Sequence, residues 1–156
     1  MNQKKSIRIG NAGGYWGDDP NALERQVFGG RLDYISMDFL AEITMSTLQK
    51  QRQSDSEGGY ARDFLPMLKK VLPKLMQDKT TVITNAGGVN PQSCARAIAK
   101  LAAELGLKPK IAIVYGDDIL PDLGRLHGGG IAFDNMENGD SFAEVSNRIV
   151  AANIYF

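Results

Sequence analysis

The stretch that decides the fold is TTVITNAGGVNPQSCARAIAKLAAELG, residues 80–106. Its first five residues are all β-branched and are followed by Asn85, which is typical of a strand buried in a parallel sheet. Asn90 is a candidate N-cap, Pro91 suits the first helical position, and Gly106 suits the residue after the helix. The stretch therefore predicts a strand, a polar loop and a helix, which together form one βα unit.

A second copy of this arrangement stands near the start of the chain. SIRIGNAGG, residues 6–14, is again a short apolar run followed by Asn-Ala-Gly-Gly. Asp19 is the candidate N-cap of a helix at 20–28, Pro20 is its first residue, and Gly29 is its stop signal. The repetition predicts two βα units with the same kind of loop.

The remaining segments show the same two patterns. Apolar runs predict strands at 33–39 and 110–116, and helical patterns occur at 40–52, 61–77 and about 142–150. Pro73 is expected to kink or split its helix. Strands that alternate with helices, without hairpin signals, indicate right-handed βαβ units. We therefore predict a single α/β domain over residues 1–156, with a parallel sheet of about four to five strands and helices on both faces.

Two segments depart from this regularity. Residues 119–141 are rich in glycine and have no clean period, which predicts a flexible excursion. The chain ends in AANIYF, residues 151–156, an apolar and strand-prone sequence. We expect this ending to pair with a second copy or a partner chain that completes the sheet, because an exposed strand edge favours association.

Composition excludes several classes of protein. The 18 basic and 18 acidic side chains leave no net charge, which argues against a nucleic-acid-binding surface. One cysteine excludes a disulfide framework and a cysteine-rich zinc site. The sequence shows neither the apolar core of a signal peptide nor an apolar run of about 20 residues that would span a membrane. We expect a cytoplasmic protein that binds neither nucleic acid nor membranes.

Amide and carboxylate side chains follow each predicted strand. Ligand sites of open parallel sheets form at the carboxyl ends of the strands, so these side chains are predicted to share one cleft. The candidate catalytic acids are Asp38, Glu42, Asp117 and Asp118. The candidate ligand- or cofactor-binding residues are Asn11, Gly13, Gly14, Asn85, Gly87, Gly88 and Asn90.

Each of these features has two interpretations. The NAGG loops either cradle an anion with backbone N–H groups or form tight turns, and their duplication favours a role in binding. Asp117 and Asp118 either bind a divalent cation or substrate hydroxyls, or cap the next segment. Asp38 and Glu42 point the same way if the second helix begins by Asp38. The sequence specifies neither a metal nor a cofactor.

A nicotinamide site is a further alternative. Asp38 ends the second predicted strand, where an acid that binds the ribose would stand. The glycines of GNAGGYWG, residues 10–17, lack the G-x-G-x-x-G order of the dinucleotide fingerprint. His127 is interpreted as a solvated loop residue, and Cys94 as a core residue on the apolar face of its helix.

Several motifs together resemble the acyclic terpene utilisation family AtuA. They are RIGNAGGYWGDDP, LDYISMDFLAEITMS, GGYARDF, VITNAGGVNPQSCA, VYGDD, MENGD and AANIYF. The resemblance runs from about residue 8 to 118 and again over 134–156. The positions that carry it are Asn11, Gly13, Gly14, Trp16, Asp38, Glu42, Asn85, Gly87, Gly88, Asn90, Asp117 and Asp118.

The resemblance implies a role in the catabolism of acyclic terpenes or branched acids through acyl-CoA thioesters. It also implies that the chain is the N-terminal portion of a longer type of protein, so that its sheet and its catalytic site are incomplete. Two functions stay open: an enzyme or enzyme subunit with a carboxylic acid or acyl-CoA ligand, and a non-catalytic binding or assembly subunit. The resemblance assigns no catalytic role to any residue.

Overall fold

The structure is a computed structural model that describes residues 6–154. The first part of the chain contains a parallel sheet of three strands. The chain divides into two units, of which the first ends at Ile113 and the second begins at Val114. The elements of the first unit are β1 (Ile9–Asn11), α1 (Ala22–Gly29), β2 (Tyr34–Met37), α2 (Glu42–Ser54), α3 (Phe64–Asp78), β3 (Thr81–Thr84) and α4 (Pro91–Glu104). This confirms the α/β class and the parallel sheet.

The strand order explains which face of the sheet the helices cover. The order is β1-β2-β3, so each new strand joins on the same side of the previous one. Right-handed crossovers that advance in one direction place their helices on one face. Residues of α1, α3 and α4 accordingly share one core with β2, which includes Ile35, Val71 and Leu101. Helices on both faces would require a reversal of strand order, which the described strands lack, and this part of the prediction is wrong.

The alternation of side chains along the strands gives the same result. Gly10, Ile35 and Met37 are buried beneath the helices. On the opposite face, Ile9 is 70% exposed and Ile83 is 58% exposed. We call this the uncovered face and define it by Ile9, Tyr34 and Ile83, which have Cβ atoms on the side of the sheet away from the core.

The predicted strand at 110–116 does not form among the described residues, which contain three strands instead of four to five. The segment is apolar and β-branched but has no neighbouring strand to bond with. Val114 is 91% exposed and Tyr115 62% exposed. β-branched and apolar residues favour a strand because their side chains pack on a half-buried sheet surface. The segment 110–116 is largely exposed, so it lacks this stabilisation.

The boundaries of α1, α2 and α4 follow the sequence signals to within about two residues. Helix α3 begins three residues later than predicted, and the helix predicted at about 142–150 is observed only over Phe142–Val145. Asn90 caps α4 by accepting a hydrogen bond from the Ser93 N–H, and Gly106 adopts a left-handed φ of 69° after its end. Asp19 stands before α1 rather than at its cap, since Asn21 takes the cap position. The helix α3 runs through Pro73 without a break. Pro73 and Lys69, whose carbonyl loses its usual partner, both lie on the exposed side of the helix, where water can replace the missing bond.

The second unit consists of short elements. They are a 3₁₀ turn at Leu120–Asp122, α5 (Leu123–Gly128), α6 (Phe142–Val145) and a 3₁₀ turn at Ser146–Arg148. The segment 117–119 pairs with 152–154 through an antiparallel bridge between Asp118 and Asn153. The predicted excursion therefore begins with two helical turns, and the predicted pairing of residues 155 and 156 lies outside the described residues.

Candidate functional site

The loops at the carboxyl ends of the three strands are joined by direct hydrogen bonds. The Asp38 N–H donates to the carbonyl oxygen of Gly13 at 3.0 Å, which links the ends of β1 and β2. Asn85 accepts from the Phe39 N–H at 2.8 Å and donates from Nδ2 to Asp38 Oδ1 at 2.7 Å, which links β2 and β3. We call Asn11, Asp38 and Asn85 the strand-end cluster.

The carboxylate of Asp38 is held in place on one side only. Its Oδ1 accepts hydrogen bonds from the Leu40 N–H at 3.0 Å and from Asn85 Nδ2 at 2.7 Å. Both bonds use the same oxygen, and the residue is exposed. Within the described part of the chain, Oδ2 therefore has no protein donor and is available to accept a proton, or a hydrogen bond from a hydroxyl group, of a ligand.

The first NAGG loop is closed by two side chains of its own segment. Asn11 Oδ1 accepts from the Gly13 N–H at 3.1 Å, and Asp18 Oδ2 accepts from the Gly14 N–H at 3.0 Å. The N–H groups of Gly14 and Asp19 hold the pKa of Asp18 below its ordinary value of 3.8. A carboxylate thus already occupies the position that a bound anion would take at this loop.

Trp16 connects the first NAGG loop to helix α3. Its indole Nε1 donates to Asp63 Oδ2 at 2.7 Å, and its ring packs against the core. Asp63 immediately precedes α3, so a single side chain ties the loop after β1 to an element that begins far along the sequence. This bond fixes the loop without using any backbone group of Gly13 or Gly14.

The two NAGG loops differ in why they contain glycine. In the second loop, a Cβ on Gly88 would lie 2.7 Å from the carbonyl oxygen of Gly59, and φ is 52°. A Cβ on Gly87 would lie 2.9 Å from Pro91. In the first loop, a Cβ on Gly13 or Gly14 would approach no atom closer than 4.0 Å, and neither residue has a left-handed φ. The fold requires the glycines of the second loop only.

The second loop is bound tightly by the segment 58–61 and by α2. Ala61 donates its N–H to the carbonyl of Ala86 at 2.8 Å, and Val89 donates to the carbonyl of Gly59 at 2.9 Å. Asn90 is buried, and its Nδ2 donates to the carbonyls of Ser56 and Gly58. Asn90 therefore lies beneath the loop and outside the strand-end cluster.

Among residues 6–154, the carboxylates of Glu42, Asp117 and Asp118 form no hydrogen bond with this network. Helix α2 begins at Glu42, so Asp38 precedes the helix and the expected helical i, i+4 geometry does not apply. Asp117 and Asp118 belong to the second unit. Asp117 Oδ2 accepts from Asn153 Nδ2 at 2.9 Å, and Asp118 Oδ1 accepts from the Leu120 N–H at 3.1 Å.

Two negative findings concern residues 6–154. No three His, Cys, Asp or Glu side chains in this range are grouped so that they could hold a metal ion. No helix in the same range is long and apolar enough to cross a membrane. Cys94 is buried in the first turn of α4, and burial raises the pKa of its thiol to about 11, which keeps it protonated near neutral pH.

Comparison with known protein families gives one match. Residues 7–156 match the family described as "Acyclic terpene utilisation family protein AtuA". The chain belongs to the AtuA family. The match spans both units and contains every residue of the strand-end cluster. Searches of curated proteins and of solved structures gave no significant match.

Sequence reasoning missed the residues that hold the AtuA loops in place. Asp18 and Asp63 were not singled out, although they bond to the Gly14 N–H and to Trp16. Asp18 carries a local signal, since an Asp side chain in a turn commonly accepts hydrogen bonds from nearby backbone N–H groups. Asp63 carries none, because its partner lies 47 residues away in the sequence.

Proposed function

We propose that this AtuA family member is an enzyme, or an enzyme subunit, in the catabolism of acyclic terpenes or branched acids through acyl-CoA thioesters. The ligand binds at the first NAGG loop, beside Asp38. The observation that supports this is the pair Gly13 and Gly14, which neither backbone strain nor packing requires. Glycine at such positions leaves the backbone open to the close approach of a ligand.

The chemistry of the loop suits a carbonyl or carboxylate ligand. Such a group takes the Gly14 N–H by displacing the Asp18 carboxylate, which now accepts that bond. Asp38 then accepts a proton from the ligand through Oδ2, while Asn85 and the Leu40 N–H keep its orientation through Oδ1. Glu42 is a further proton carrier in this proposal, and Gly87, Gly88 and Asn90 support the site structurally.

Titration calorimetry with the CoA thioester of citronellic acid tests the proposed site. Gly14→Leu places a side chain over the loop and should weaken binding by about fivefold or more, the effect of losing one hydrogen bond to a neutral carbonyl group. Gly124→Leu is the matched control, because a side chain at either position enters open space. Asp38→Asn should retain binding and lower turnover of the thioester by about a hundredfold.

Two results would reject this proposal. One is an absence of saturable binding of the thioester to the wild-type chain. The other is equal affinity of the Gly14→Leu and Gly124→Leu variants, since the ligand would then lie elsewhere.

A binding or assembly subunit without catalysis is the second candidate. The uncovered face favours it, because Ile9 and Ile83 expose apolar side chains on a parallel sheet. Parallel sheets are generally covered on both faces, so this surface suits a partner chain or a second copy. The two candidates are separated by turnover of the thioester and by the state of association.

A further inference from the structure

A cavity lined by arginine lies at the end of the sheet opposite to the strand-end cluster. Its volume is about 360 Å³. Arg8 immediately precedes β1, whereas the strand-end cluster lies at the carboxyl ends of the strands. We call it the arginine cavity; its lining residues are Arg8, Arg25, Gln26, Gly29, Gly30, Arg31 and Leu32.

The charges around the arginine cavity leave a positive excess. Arg25 pairs with Asp19 at 2.5 Å. Within residues 6–154, the guanidinium groups of Arg8 and Arg31 form neither an ion pair nor a hydrogen bond. Asp33 lies near, with Oδ2 bound to the Arg8 N–H at 2.8 Å, and the C-terminus of α1 adds about half a negative charge. Two free guanidinium groups exceed these negative charges.

Core packing shapes one wall of the arginine cavity. Gly10 has no Cβ, and an added Cβ would lie 2.8 Å from Leu32 Cδ1 and 3.2 Å from Gln26 Oε1. Leu32 and Gln26 therefore pack directly against the backbone of β1. Gly29 and Gly30 add no side chains, and a Cβ at either position would meet nothing within 4 Å. The cavity is thus bounded by the fold on one side and open on the other.

We propose that the arginine cavity binds a small molecule through a phosphate group. A guanidinium group matches the geometry of phosphate oxygens and binds them through two parallel hydrogen bonds. Arg8 and Arg31 supply this chemistry, and the volume falls in the usual range for small-molecule sites, about 300–1,000 Å³. Inorganic pyrophosphate and the diphosphate of a nucleotide share the recognised group.

Calorimetric titration of the full chain with pyrophosphate, at fixed ionic strength, tests this inference. The wild-type chain should bind in a saturable manner, and Arg8→Gln or Arg31→Gln should each weaken binding by about tenfold or more. Lys100→Gln removes the same charge from α4, which α3 separates from α1, and should change the affinity by less than about twofold. Circular dichroism melts verify that each variant is folded.

The alternative is that the arginines only compensate the C-terminus of α1. Absence of saturable pyrophosphate binding, or equal weakening by Arg31→Gln and Lys100→Gln, would overturn the proposal. A parallel titration with ADP separates the two sources of phosphate: tighter binding of ADP assigns a nucleotide, and equal or weaker binding assigns the free anion. Gly14→Leu, at the opposite end of the strands, should leave pyrophosphate binding unchanged.

Discussion

At the scale of single residues, the same tetrapeptide, NAGG, has different surroundings at its two positions in the chain. Gly88 is required because its backbone is left-handed and its neighbours leave no room for a Cβ. Gly14 meets neither condition. The sequence predicted both loops and their positions after strands, but it could not separate their roles. The distinction depends on Leu48 and Gly59, which reach the second loop from other elements and have no counterpart at the first.

Replacing these glycines by alanine should lower the free energy of unfolding by different amounts, depending on the surroundings of each glycine. Gly106→Ala introduces a side chain at a φ of 69° with nothing within 4 Å, so it should cost only the left-handed strain, about 1–2 kcal/mol. Gly88→Ala adds overpacking against Gly59 and should cost about 1–3 kcal/mol more. Gly14→Ala should lie within about 0.5 kcal/mol of wild type. Urea unfolding followed by circular dichroism measures all three, and equal losses for Gly88→Ala and Gly106→Ala would contradict the packing argument.

At the scale of elements, local signals located the helices better than the strands. The cap and stop residues of α4 act as the sequence predicts, because capping depends on neighbours in the chain. The segment 110–116 has the composition of a strand, but a strand also needs a partner, which no local pattern supplies. For the same reason the sequence does not predict that residues 55–58 attach to α4. The attachment is an ion pair between Glu57 and Arg96 at 2.8 Å, and the two residues are far apart in the chain.

Acidic pH should weaken the ion pairs Glu57–Arg96 and Asp55–Arg62 and thereby lower the stability of the folded chain. Arg96 holds the pKa of Glu57 below its ordinary value of 4.5, and Arg62 holds that of Asp55 below 3.8. Because both pKa values are lower in the folded chain, the unfolded chain binds more protons in acid, and stability is lost as the pH falls through the folded-state values. The urea midpoint should therefore be constant from pH 7 to about 5 and should fall steadily from there to pH 3.

The variant Glu57→Gln provides the control for this pH dependence. It lacks the titrating carboxylate, so its midpoint should be lower than wild type at pH 7 and should fall less between pH 5 and 3. A wild-type midpoint that stayed level or rose as the pH fell would contradict the assignment. An identical acid loss in both proteins would show that the ion pair with Arg96 does not contribute.

At the scale of the whole molecule, the sequence predicted the α/β class correctly but did not predict which face of the sheet the helices cover. Alternating elements predict parallel strands, yet the face that a helix covers depends on strand order, which composition does not encode. The order β1-β2-β3 leaves Ile9 and Ile83 exposed. Burying apolar side chains of this size stabilises association by about 25 cal/mol per Å² of surface removed from water.

We therefore expect the chain to self-associate through the uncovered face. Multi-angle light scattering over a range of concentrations should show a species larger than a monomer. Ile83→Lys should shift it towards monomer, because a charged side chain cannot be buried without a partner. Ile43→Lys is the matched control, since Ile43 is 79% exposed on α2 and is no part of that face. A wild-type chain that stays monomeric throughout would exclude this association.

The one-directional strand order also has a consequence during synthesis on the ribosome. Tyr34 pairs with Ile9, and Thr81 pairs with Tyr34, so each described strand after β1 meets a neighbour that has already been made. No strand must wait for a later segment to be inserted between it and its partner. Since chains emerge from the N-terminus and local contacts form fastest, the sheet can grow strand by strand as it leaves the exit tunnel.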